Sequence, residues 1–531
     1  AEYLTRPDNL HAKAGNINAA LARTSGDFVV VFDCDHIPTR SFLQICMGWF
    51  LKDPKLAMLQ TPHVFYSPDP FEHNLGTFRK VPNEGELFYG VTQDGNDLWN
   101  ATFFCGSCGV MRRSALDAVG GIAVGSVTED ALTALMMNSK GLNTAYLAVP
   151  QAAGLATETL ARHIGQRMRW ARGMAEIFRD NNPLLCKGLS LPQRLCYLSA
   201  MLHFFFGLPR MVFLVAPLGY LFFGAHLFHA SALMVMAYAL PHVVLANLSG
   251  SRIQGRFRHS FLNEVYETVL AWYLLGPVLQ ALLRPGSKGF NVTDKGGVIR
   301  ESFFEWSLAR PYIVLLVVNL VGFAAGLVSL LVQPGLDVRL TVLLNLFWTF
   351  YNIVVASAAV GVASAEKQMR QTPRVQMDLP AALCMPDGRR IVCRTADFSQ
   401  GGLGLMLPQG VPLPQRGDEV AVSIFRNEYE AVLPAEVSNG RGRIVGLSFH
   451  DLTLEQEQDL ARVTFARADA WTDFWGHKEP DDPLVALGRI ARVGLKGFGV
   501  LMRYLFSWSV GYLIHAVVSR PAAGNLETKQ I

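Results

Sequence analysis

The sequence predicts a multidomain chain with an α/β domain over residues 1–180, a helical membrane region over 181–365, a small β-barrel over 366–470 and an amphipathic helix over 483–518. Buried-strand patterns alternate with helical spacing in the first part, apolar segments of membrane-spanning length fill the second, and alternating strands between Gly- and Pro-rich turns occupy the third. A chain of 531 residues is too long to fold around a single hydrophobic core, so more than one domain is expected. Its charged fraction of 17%, against about 25% in soluble proteins, also indicates membrane segments.

The α/β domain is predicted from three apolar runs. Residues 28–32 form a continuous apolar run that is β-branched at its centre, as in a strand buried on both faces. The segment 12–24 before it has helical spacing, and Leu56–Gln60 and 103–110 are further strand candidates. This alternation of strand and helix predicts a mostly parallel sheet.

The membrane region contains four segments long enough to cross a bilayer, at 197–224, 227–249, 311–333 and 339–364. A fifth, 261–283, is long enough but carries two glutamates near its start. Basic clusters follow both the second segment and 261–283, and the positive-inside rule places both clusters in the cytoplasm. We therefore expect 261–283 to lie along the membrane surface, and the terminal domains to share the cytoplasmic face of a multi-pass inner-membrane protein.

The C-terminal part returns to a soluble composition. Residues 419–425 and 443–449 alternate apolar and polar side chains, which predicts half-buried antiparallel strands of a barrel. The amphipathic helix at 483–518 could rest on the membrane or dock on the first domain, and its spacing does not choose between the two.

Charge and cysteine content narrow the function classes. A net charge of +4 is too small to argue for a nucleic-acid polymer as partner, and the eight cysteines show no disulfide framework. Cys105 and Cys108 form a single Cys-x-x-Cys pair, which does not make a zinc site. The chain has no initiator Met and reaches a strand almost at once, so we expect a fragment of a longer protein.

Asp33-Cys34-Asp35 directly follows the first predicted strand. Carboxylates just past the carboxyl end of a strand face the crevice where α/β folds bind ligands, and hard oxygen ligands suit Mg²⁺ or Mn²⁺ beside a nucleotide diphosphate. The pair could equally be two solvated aspartates in a turn.

Thr128-Glu129-Asp130 precedes a helical pattern. The motif fits ordinary helix N-terminal chemistry, with a Thr cap and acids in the first turn. It also fits a general base, Asp130, that takes a proton from an attacking hydroxyl. The local sequence leaves both interpretations open.

Gln166, Arg169 and Trp170 lie within about one turn of a predicted helix, with Gln166 and Arg169 on one face. Arg169 could pair with a diphosphate and Trp170 could offer its ring to a sugar. Taken alone, the motif slightly favours a Trp that anchors an amphipathic helix at the membrane.

In this order, these signatures resemble those of processive family-2 glycosyltransferases. The motifs from Phe103 to Ser107 and from Phe290 to Lys295 narrow the resemblance to the bacterial cellulose synthase family. The resemblance implies a GT-A domain that lacks its N-terminal part, a transmembrane channel and a PilZ domain. It also implies processive, inverting synthesis of β-1,4-glucan from UDP-glucose, coupled to export, and a periplasmic, membrane-anchored partner subunit.

The resemblance assigns roles to matching positions. Asp33 and Asp35 would serve UDP and its divalent metal, Asp130 would be the base, and residues 284–300 would contain a gating loop. The residues that it assigns to substrate binding are Lys13, Cys105, Gln166, Arg169, Trp170, Phe290, Val292, Thr293 and Lys295.

A second constellation lies at the start of the C-terminal domain. Its residues are Arg370, Arg374, Asp397, Ser399 and Gly402. Guanidinium groups suit phosphates and guanine edges, whereas a basic cluster for anionic lipid would not explain the second half of the motif. The pair resembles the PilZ receptor for the activator cyclic di-GMP. We hypothesise that Arg370 pairs with Glu158 without ligand and thereby holds the gating loop closed.

Two other functions remain as alternatives. One is another processive β-glycan synthase that uses a different sugar or linkage. The other is a catalytically silent membrane regulator that responds to cyclic di-GMP.

Overall fold

The computed structural model describes residues 2–226, 230–284, 299–365, 367–368, 372–472 and 478–518, with side chains as far as residue 506. Its first part alternates helices and strands. The helices are α1 (Ala12–Leu21), α2 (Phe42–Lys52), α3 (Pro70–Leu75), α4 (Glu84–Leu87), α5 (Gln93–Leu98), α6 (Arg113–Val119), α7 (Glu129–Ser139) and α8 (Leu160–Asp180). The strands are β1 (Phe28–Val31), β2 (Ile37–Pro38), β3 (Leu56–Gln60), β4 (Val64–Phe65), β5 (Gly109–Arg112), β6 (Asn143–Tyr146) and β7 (Ala152–Gly154).

The main sheet has the strand order β1-β5-β3-β6. Strands β1, β3 and β6 run in one direction, but β5 lies between β1 and β3 and is antiparallel to both. The prediction of mostly parallel pairing is therefore wrong, because apolar periodicity reports burial and not the direction of the neighbouring strand. The strand expected at 103–110 is also shifted to Gly109–Arg112, because the Gln60 amide holds residues 105–108 as a loop.

The membrane region contains α9 (Leu191–Leu202), α10 (Gly207–Phe223), α11 (Ala232–Gln254), α12 (Leu262–Leu283), α13 (Trp306–Val332) and α14 (Leu336–Val362). Short strands β8 (Phe303–Phe304) and β9 (Ser364–Ala365) pair with each other. By length and composition, α11 to α14 could each cross a membrane, and α9 with α10 could form one more span that is bent by 46°.

The segment predicted to span the membrane over 197–224 is not one straight helix, because the chain turns at a 3₁₀ turn over His203–Phe205. Tyr197 and Met201 before the break pack into the core of the α/β domain. After the break, α10 approaches α12 so closely that a Cβ on Gly207 would lie 2.8 Å from the Ala271 carbonyl oxygen.

Helix α12 contacts the α/β domain near both of its ends. Tyr266 stacks on Phe71 of α3 with ring centroids 4.3 Å apart, and the Arg179 guanidinium of α8 donates a hydrogen bond to the Ala281 carbonyl. On its other side α12 meets α10 through Arg210, which forms ion pairs with Glu264 and Glu267, the latter at 2.8 Å. Arg210, which lies within the apolar helix α10, is thus paired with the two glutamates near the start of α12.

The C-terminal part is a closed barrel of strands in the order β10-β11-β12-β15-β14-β13. The strands are β10 (Pro380–Cys384), β11 (Arg390–Ser399), β12 (Gly402–Met406), β13 (Glu419–Arg426), β14 (Tyr429–Arg441) and β15 (Ile444–Ser448), followed by α15 (Leu454–Val463). The two strands predicted at 419–425 and 443–449 correspond to β13 and β15, and their inward side chains fill the barrel.

The last helix, α16 (Pro483–Val518), packs on α14 of the membrane region. A Cβ on Gly497 would lie 2.0 Å from the Ser357 carbonyl oxygen, and one on Gly494 would lie 2.7 Å from the Val354 carbonyl oxygen. These glycines permit a close crossing of the two helices. The docking partner of this amphipathic helix is therefore α14.

The barrel and the α/β domain share a hydrophobic core. Val64 and Ala153 of the small sheet β2-β7-β4, and Tyr66 directly after β4, belong to the same cluster as the interior of the barrel. The Tyr66 ring stacks on Trp471 with centroids 5.7 Å apart and also contacts Phe465. The two domains are thus joined by apolar packing in addition to the chain connection.

Candidate active site and ligand switch

The centre of the candidate site is a lysine that joins two parts of the α/β domain. The Lys13 ammonium of α1 forms an ion pair with Asp33 and donates a hydrogen bond to the Gly106 carbonyl. Burial of Asp33 favours the protonated acid, but the charge and hydrogen bond of Lys13 outweigh it and lower the pKa of Asp33. Asp33 is therefore an ionised carboxylate at the end of β1.

Asp35 and His36 continue this cluster. Asp35 accepts a hydrogen bond of 2.9 Å from the Leu155 backbone N–H, and His36 Nδ1 lies 3.5 Å from the Asp35 carboxylate. One donor atom from each of Asp33, Asp35 and His36 lies within 4.8 Å of the others. Among the described residues, the buried His36 ring has no hydrogen-bond partner at either nitrogen. This set of two carboxylates and one imidazole fits a small divalent cation such as Mg²⁺ or Mn²⁺.

The ring of His63 packs behind the cluster. It lies 5.3 Å from His36, stacks on Tyr89 at 5.2 Å, and its Nε2 is 2.7 Å from the Ser107 carbonyl. Burial first, and then the neighbouring His36, lower the pKa of His63 to about 3. A neutral His63 at this place adds no positive charge to compete with a cation.

Asp130, in the first turn of α7, lies on the other side of Gly106. A Cβ on Gly106 would lie 3.2 Å from Asp130 Oδ2, and the φ of +86° at this position also favours glycine. Burial, and second the charge of Glu129, raise the pKa of Asp130 to about 7. A carboxylate that titrates near neutral pH is suited to accept a proton.

The loop that carries Cys105 is held by the buried Gln60 at the end of β3. Gln60 Oε1 accepts a hydrogen bond of 3.0 Å from the Cys105 N–H, and Gln60 Nε2 donates to the Ser107 carbonyl at 2.8 Å. The Cys105 thiol accepts from Gln93 at 3.2 Å, and burial raises its pKa. Cys105 is thus a protonated, half-buried group beside Asp130, whose charge is the second cause of the shift.

Helix α8 brings the third motif to the same place. Thr159 caps the helix by accepting from the Arg162 N–H at 3.3 Å. A Cβ on Gly173 would lie only 2.5 Å from Thr128 Oγ1, so α8 lies directly against the segment that leads into Asp130. Burial raises the pKa of Glu129, and the nearby charges of Lys13 and Arg169 partly oppose this shift, so Arg169 also lies near this segment.

Arg167 organises the two remaining residues of this motif. Its guanidinium carbon lies 4.2 Å from the centroid of the half-buried Trp170 ring, and its Nη1 donates to Gln166 Oε1 at 3.1 Å. Arg167 Nε also donates to Glu84 of α4 at 2.9 Å. Lys13 and Gly106 thus bring Asp33 and Asp130 together, and α8 with Trp170 packs through Gly173 against the segment that leads into Asp130.

The second constellation lies on the barrel. Arg374 Nη1 donates to Asp397 Oδ1 at 2.7 Å, and Ser399 Oγ donates to the Gly402 carbonyl at 2.9 Å. A Cβ on Gly402 would lie 2.2 Å from the Leu447 carbonyl oxygen, so β12 approaches β15 at a distance that only glycine permits. Arg374, Asp397, Ser399 and Gly402 are thus brought together, as the motif predicts.

Five predicted residues lie outside the described residues: Arg370, Phe290, Val292, Thr293 and Lys295. Glu158, the proposed partner of Arg370, lies in the described part and accepts a hydrogen bond from Arg162 at 3.1 Å. The hypothesis of an Arg370–Glu158 lock therefore stays a prediction.

Sequence reasoning missed Gln60, His63 and Glu84. None belongs to a recognisable motif, because each acts through contacts with residues distant in the chain. A signal existed near Glu84, where Asn83 and Glu86 have the spacing of a capping box and form one in the structure.

Two protein families match the chain, one in its first half and one in its C-terminal part. The family described as glycosyl transferase family group 2 matches residues 28–249, and the PilZ domain family matches residues 368–466. Among solved structures, the PilZ domain of CeSA from a cellulose-synthesizing bacterium is 21% identical, with a TM-score of 0.16 over 17% of this chain and 93% of that one.

Two curated relatives cover nearly the whole chain. The UDP-forming cellulose synthase catalytic subunit of Pseudomonas fluorescens (strain SBW25) is 60% identical over 94% of this chain and 68% of its own length. The corresponding subunit of Xanthomonas axonopodis pv. citri (strain 306) is 55% identical over 94% of this chain and 68% of its own length. The chain belongs to the family of UDP-forming cellulose synthase catalytic subunits, in which a family-2 glycosyltransferase is joined to a PilZ domain that binds cyclic di-GMP.

Proposed function

We propose that the chain transfers glucose from UDP-glucose to the 4-hydroxyl of a growing β-1,4-glucan, processively and with inversion, and passes the product through its membrane region. The observation that carries this proposal is that Lys13 and Gly106 bring Asp33 and Asp130 together, while helix α8, which carries Trp170, packs through Gly173 against the segment that leads into Asp130. The sequence identities of 60% and 55% with two UDP-forming cellulose synthase subunits support the same donor and product.

Asp130 is the proposed general base. The acceptor 4-hydroxyl oxygen forms a bond to the anomeric carbon while the bond from that carbon to the UDP oxygen breaks, and Asp130 takes the hydroxyl proton. Its raised pKa of about 7 makes the carboxylate a stronger base than an exposed aspartate. Direct displacement in one step inverts the anomeric configuration.

Asp33 and Asp35, with His36, are the proposed ligands of Mg²⁺ or Mn²⁺. When bound, the ion would offset the charge of the UDP leaving group. Lys13, held between Asp33 and Gly106, is placed to add a positive charge for the diphosphate. We expect an Asp33→Asn variant to need at least about tenfold more Mg²⁺ for half-maximal activity, since it loses one charged ligand.

The acceptor is proposed to bind over α8. Trp170 offers its ring to the terminal glucose, Cys105 lies close to that sugar, and Gln166 and Arg169 lie near the diphosphate. The gating loop at 284–300, with Phe290, Val292, Thr293 and Lys295, would close over bound UDP; these residues lie outside the described part of the chain.

The shared core of the α/β domain and the barrel supports a cytoplasmic place for both. Two domains in apolar contact lie on one side of a membrane, so an even number of spans connects them. If the bent pair α9 and α10 counts as one span, it and α11 to α14 would give five spans. An even number requires that one of these helices does not cross the membrane. Contacts of α12 with the α/β domain through Tyr266 and Ala281 support its surface position. A periplasmic, membrane-anchored partner subunit would receive the glucan on the other side.

Cyclic di-GMP is the proposed activator. Arg370, Arg374, Asp397, Ser399 and Gly402 would bind it, and withdrawal of Arg370 from Glu158 would release the gating loop. The ion pair of Arg374 with Asp397 supports a preformed half of this site. If Glu158→Ala still requires the ligand fully, the release mechanism fails.

The test is UDP release from UDP-glucose by the purified protein in lipid nanodiscs, with Mg²⁺ and cyclic di-GMP. We expect ligand-dependent turnover and a product that a β-1,4-specific glucanase digests completely. Turnover with a resistant product would identify another β-glycan synthase. If the protein and its Asp130→Asn variant bind cyclic di-GMP equally well and neither turns over UDP-glucose, the chain is a silent regulator.

A further inference from the structure

Glu84 lies in α4, outside every motif of the site, and its carboxylate faces helix α8. Its Oε2 accepts a hydrogen bond of 2.9 Å from Arg167 Nε and lies 3.5 Å from His163 Nε2. The Glu84 side chain is 20% exposed and that of Arg167 is 10% exposed. Burying either the Glu84 carboxylate or the Arg167 guanidinium without the other would be costly. The two side chains are therefore held together in one geometry.

Arg167 uses its guanidinium in three directions. One nitrogen donates to Glu84, another donates to Gln166, and the flat face covers the Trp170 ring at 4.2 Å. A guanidinium can do this because it is planar and carries donors along its edge, whereas an ammonium group cannot. The orientation of Arg167 therefore determines the surroundings of both Gln166 and Trp170.

The position of Glu84 is fixed independently of α8. The Asn83 side chain accepts a hydrogen bond of 3.0 Å from the Gly85 N–H, in the capping box that begins α4. Glu86, near the other end of α4, forms an ion pair with Lys478 from the segment that follows the barrel. Helix α4 is thus anchored at both ends and presents Glu84 to Arg167 from a rigid support.

We propose that Glu84 is a positioning residue that holds Arg167, and through it Trp170, in the orientation that receives the acceptor glucose. The inference rests on the proposed role of Trp170 in the function above. It adds that α4 is part of the acceptor side of the site. Glu84 itself touches neither donor nor acceptor in this assignment.

The test is the kinetics of Glu84→Gln in the full chain, in nanodiscs with saturating cyclic di-GMP. Gln keeps the shape but loses the charge that fixes Arg167. We expect kcat for polymer synthesis to fall about 10- to 100-fold, since a small misplacement of a reacting group has effects of this size. The KM for UDP-glucose changes less than kcat, because on the donor side Arg167 contacts Gln166 while the ion pair of Lys13 with Asp33 is unaffected. Hydrolysis of UDP-glucose to free glucose rises as a share of UDP release, because water replaces the misplaced acceptor.

Glu86→Gln is the matched control, because Gln also removes one charge from the same short helix but can still accept the hydrogen bonds from Asn83 and Lys478 that hold α4 in place. It should leave the ratio of hydrolysis to transfer unchanged. Arg167→Lys keeps the positive charge for Glu84 but not the planar face, and should reproduce the Glu84→Gln kinetics. Cyclic di-GMP binding by each variant checks that the protein is folded, and Arg167→Lys carries the test if Glu84→Gln does not fold.

The pathway through Trp170 is tested in a double-mutant cycle. In a Trp170→Phe background, Glu84→Gln should have less than about a third of its effect on kcat, because the two substitutions disturb the same element. Equal effects in both backgrounds, or equal shares of hydrolysis in Glu84→Gln and Glu86→Gln, would overturn the inference. If Trp170→Phe alone leaves transfer unchanged, the role proposed for Trp170 is wrong and this inference fails with it.

Discussion

The raised pKa of Asp130 makes the pH dependence of glucose transfer a direct test of its role as base. Only the ionised carboxylate can accept the proton from the acceptor hydroxyl. With a pKa of about 7, the ionised fraction is about one eleventh at pH 6 and ten elevenths at pH 8. The wild-type kcat/KM for UDP-glucose should therefore rise about tenfold between these two values.

The perturbation is Glu129→Gln. Burial is the main cause of the raised pKa of Asp130, and the charge of Glu129 is the second. Removing that charge lowers the pKa, so the acidic limb of the profile moves to lower pH and the ratio between pH 8 and pH 6 falls. Asp130→Asn should lose the limb together with about 10²- to 10⁴-fold of the rate.

The assay is initial UDP release between pH 5.5 and 8.5 at constant ionic strength, with UDP-glucose well below its KM. This quantity reports the pKa of the free enzyme. A flat wild-type profile, or a limb that Glu129→Gln leaves in place, would refute the assignment of Asp130. So would an Asp130→Asn protein that keeps most of its rate.

Two close contacts give further predictions. Gly173→Ala should cost about 1–3 kcal/mol of stability and reduce transfer, because its Cβ would meet Thr128 at 2.5 Å. Gly165→Ala on the same helix meets nothing within 4 Å and should keep or slightly raise stability. Thermal unfolding and UDP release measure both. Gly402→Ala would meet the Leu447 carbonyl at 2.2 Å, so we expect loss of cyclic di-GMP binding by calorimetry, and unchanged affinity would contradict it.

The strands and motifs were the most predictable parts of the molecule. Leu56–Gln60 has the predicted bounds because a run of apolar side chains must be buried whichever strand lies beside it. The antiparallel entry of β5 was not predictable, since the direction of a partner strand leaves no mark on periodicity. The break at His203–Phe205 was hidden for a similar reason, because apolar composition continues across it while the helix axis turns.

The residues of the candidate site also include some that the sequence could indicate and some that it could not. Asp33, Asp130 and Trp170 were found because each belongs to a compact motif whose chemistry can be stated. Gln60 and Glu84 were not, because a lone polar residue acquires its role only when folding brings it to a backbone carbonyl or a guanidinium. Residues that hold a site are therefore less visible in a sequence than residues that react.

Burial of Tyr66 against Phe465 and Trp471 limits the modularity of this enzyme. A truncation before the barrel would not release an unregulated catalyst. It would uncover the apolar face of the small sheet beside Leu155, whose N–H donates to Asp35, and would leave an aggregation-prone surface next to Asp35 and His36. Engineering of constitutive variants should therefore keep the barrel and alter only its nucleotide pocket.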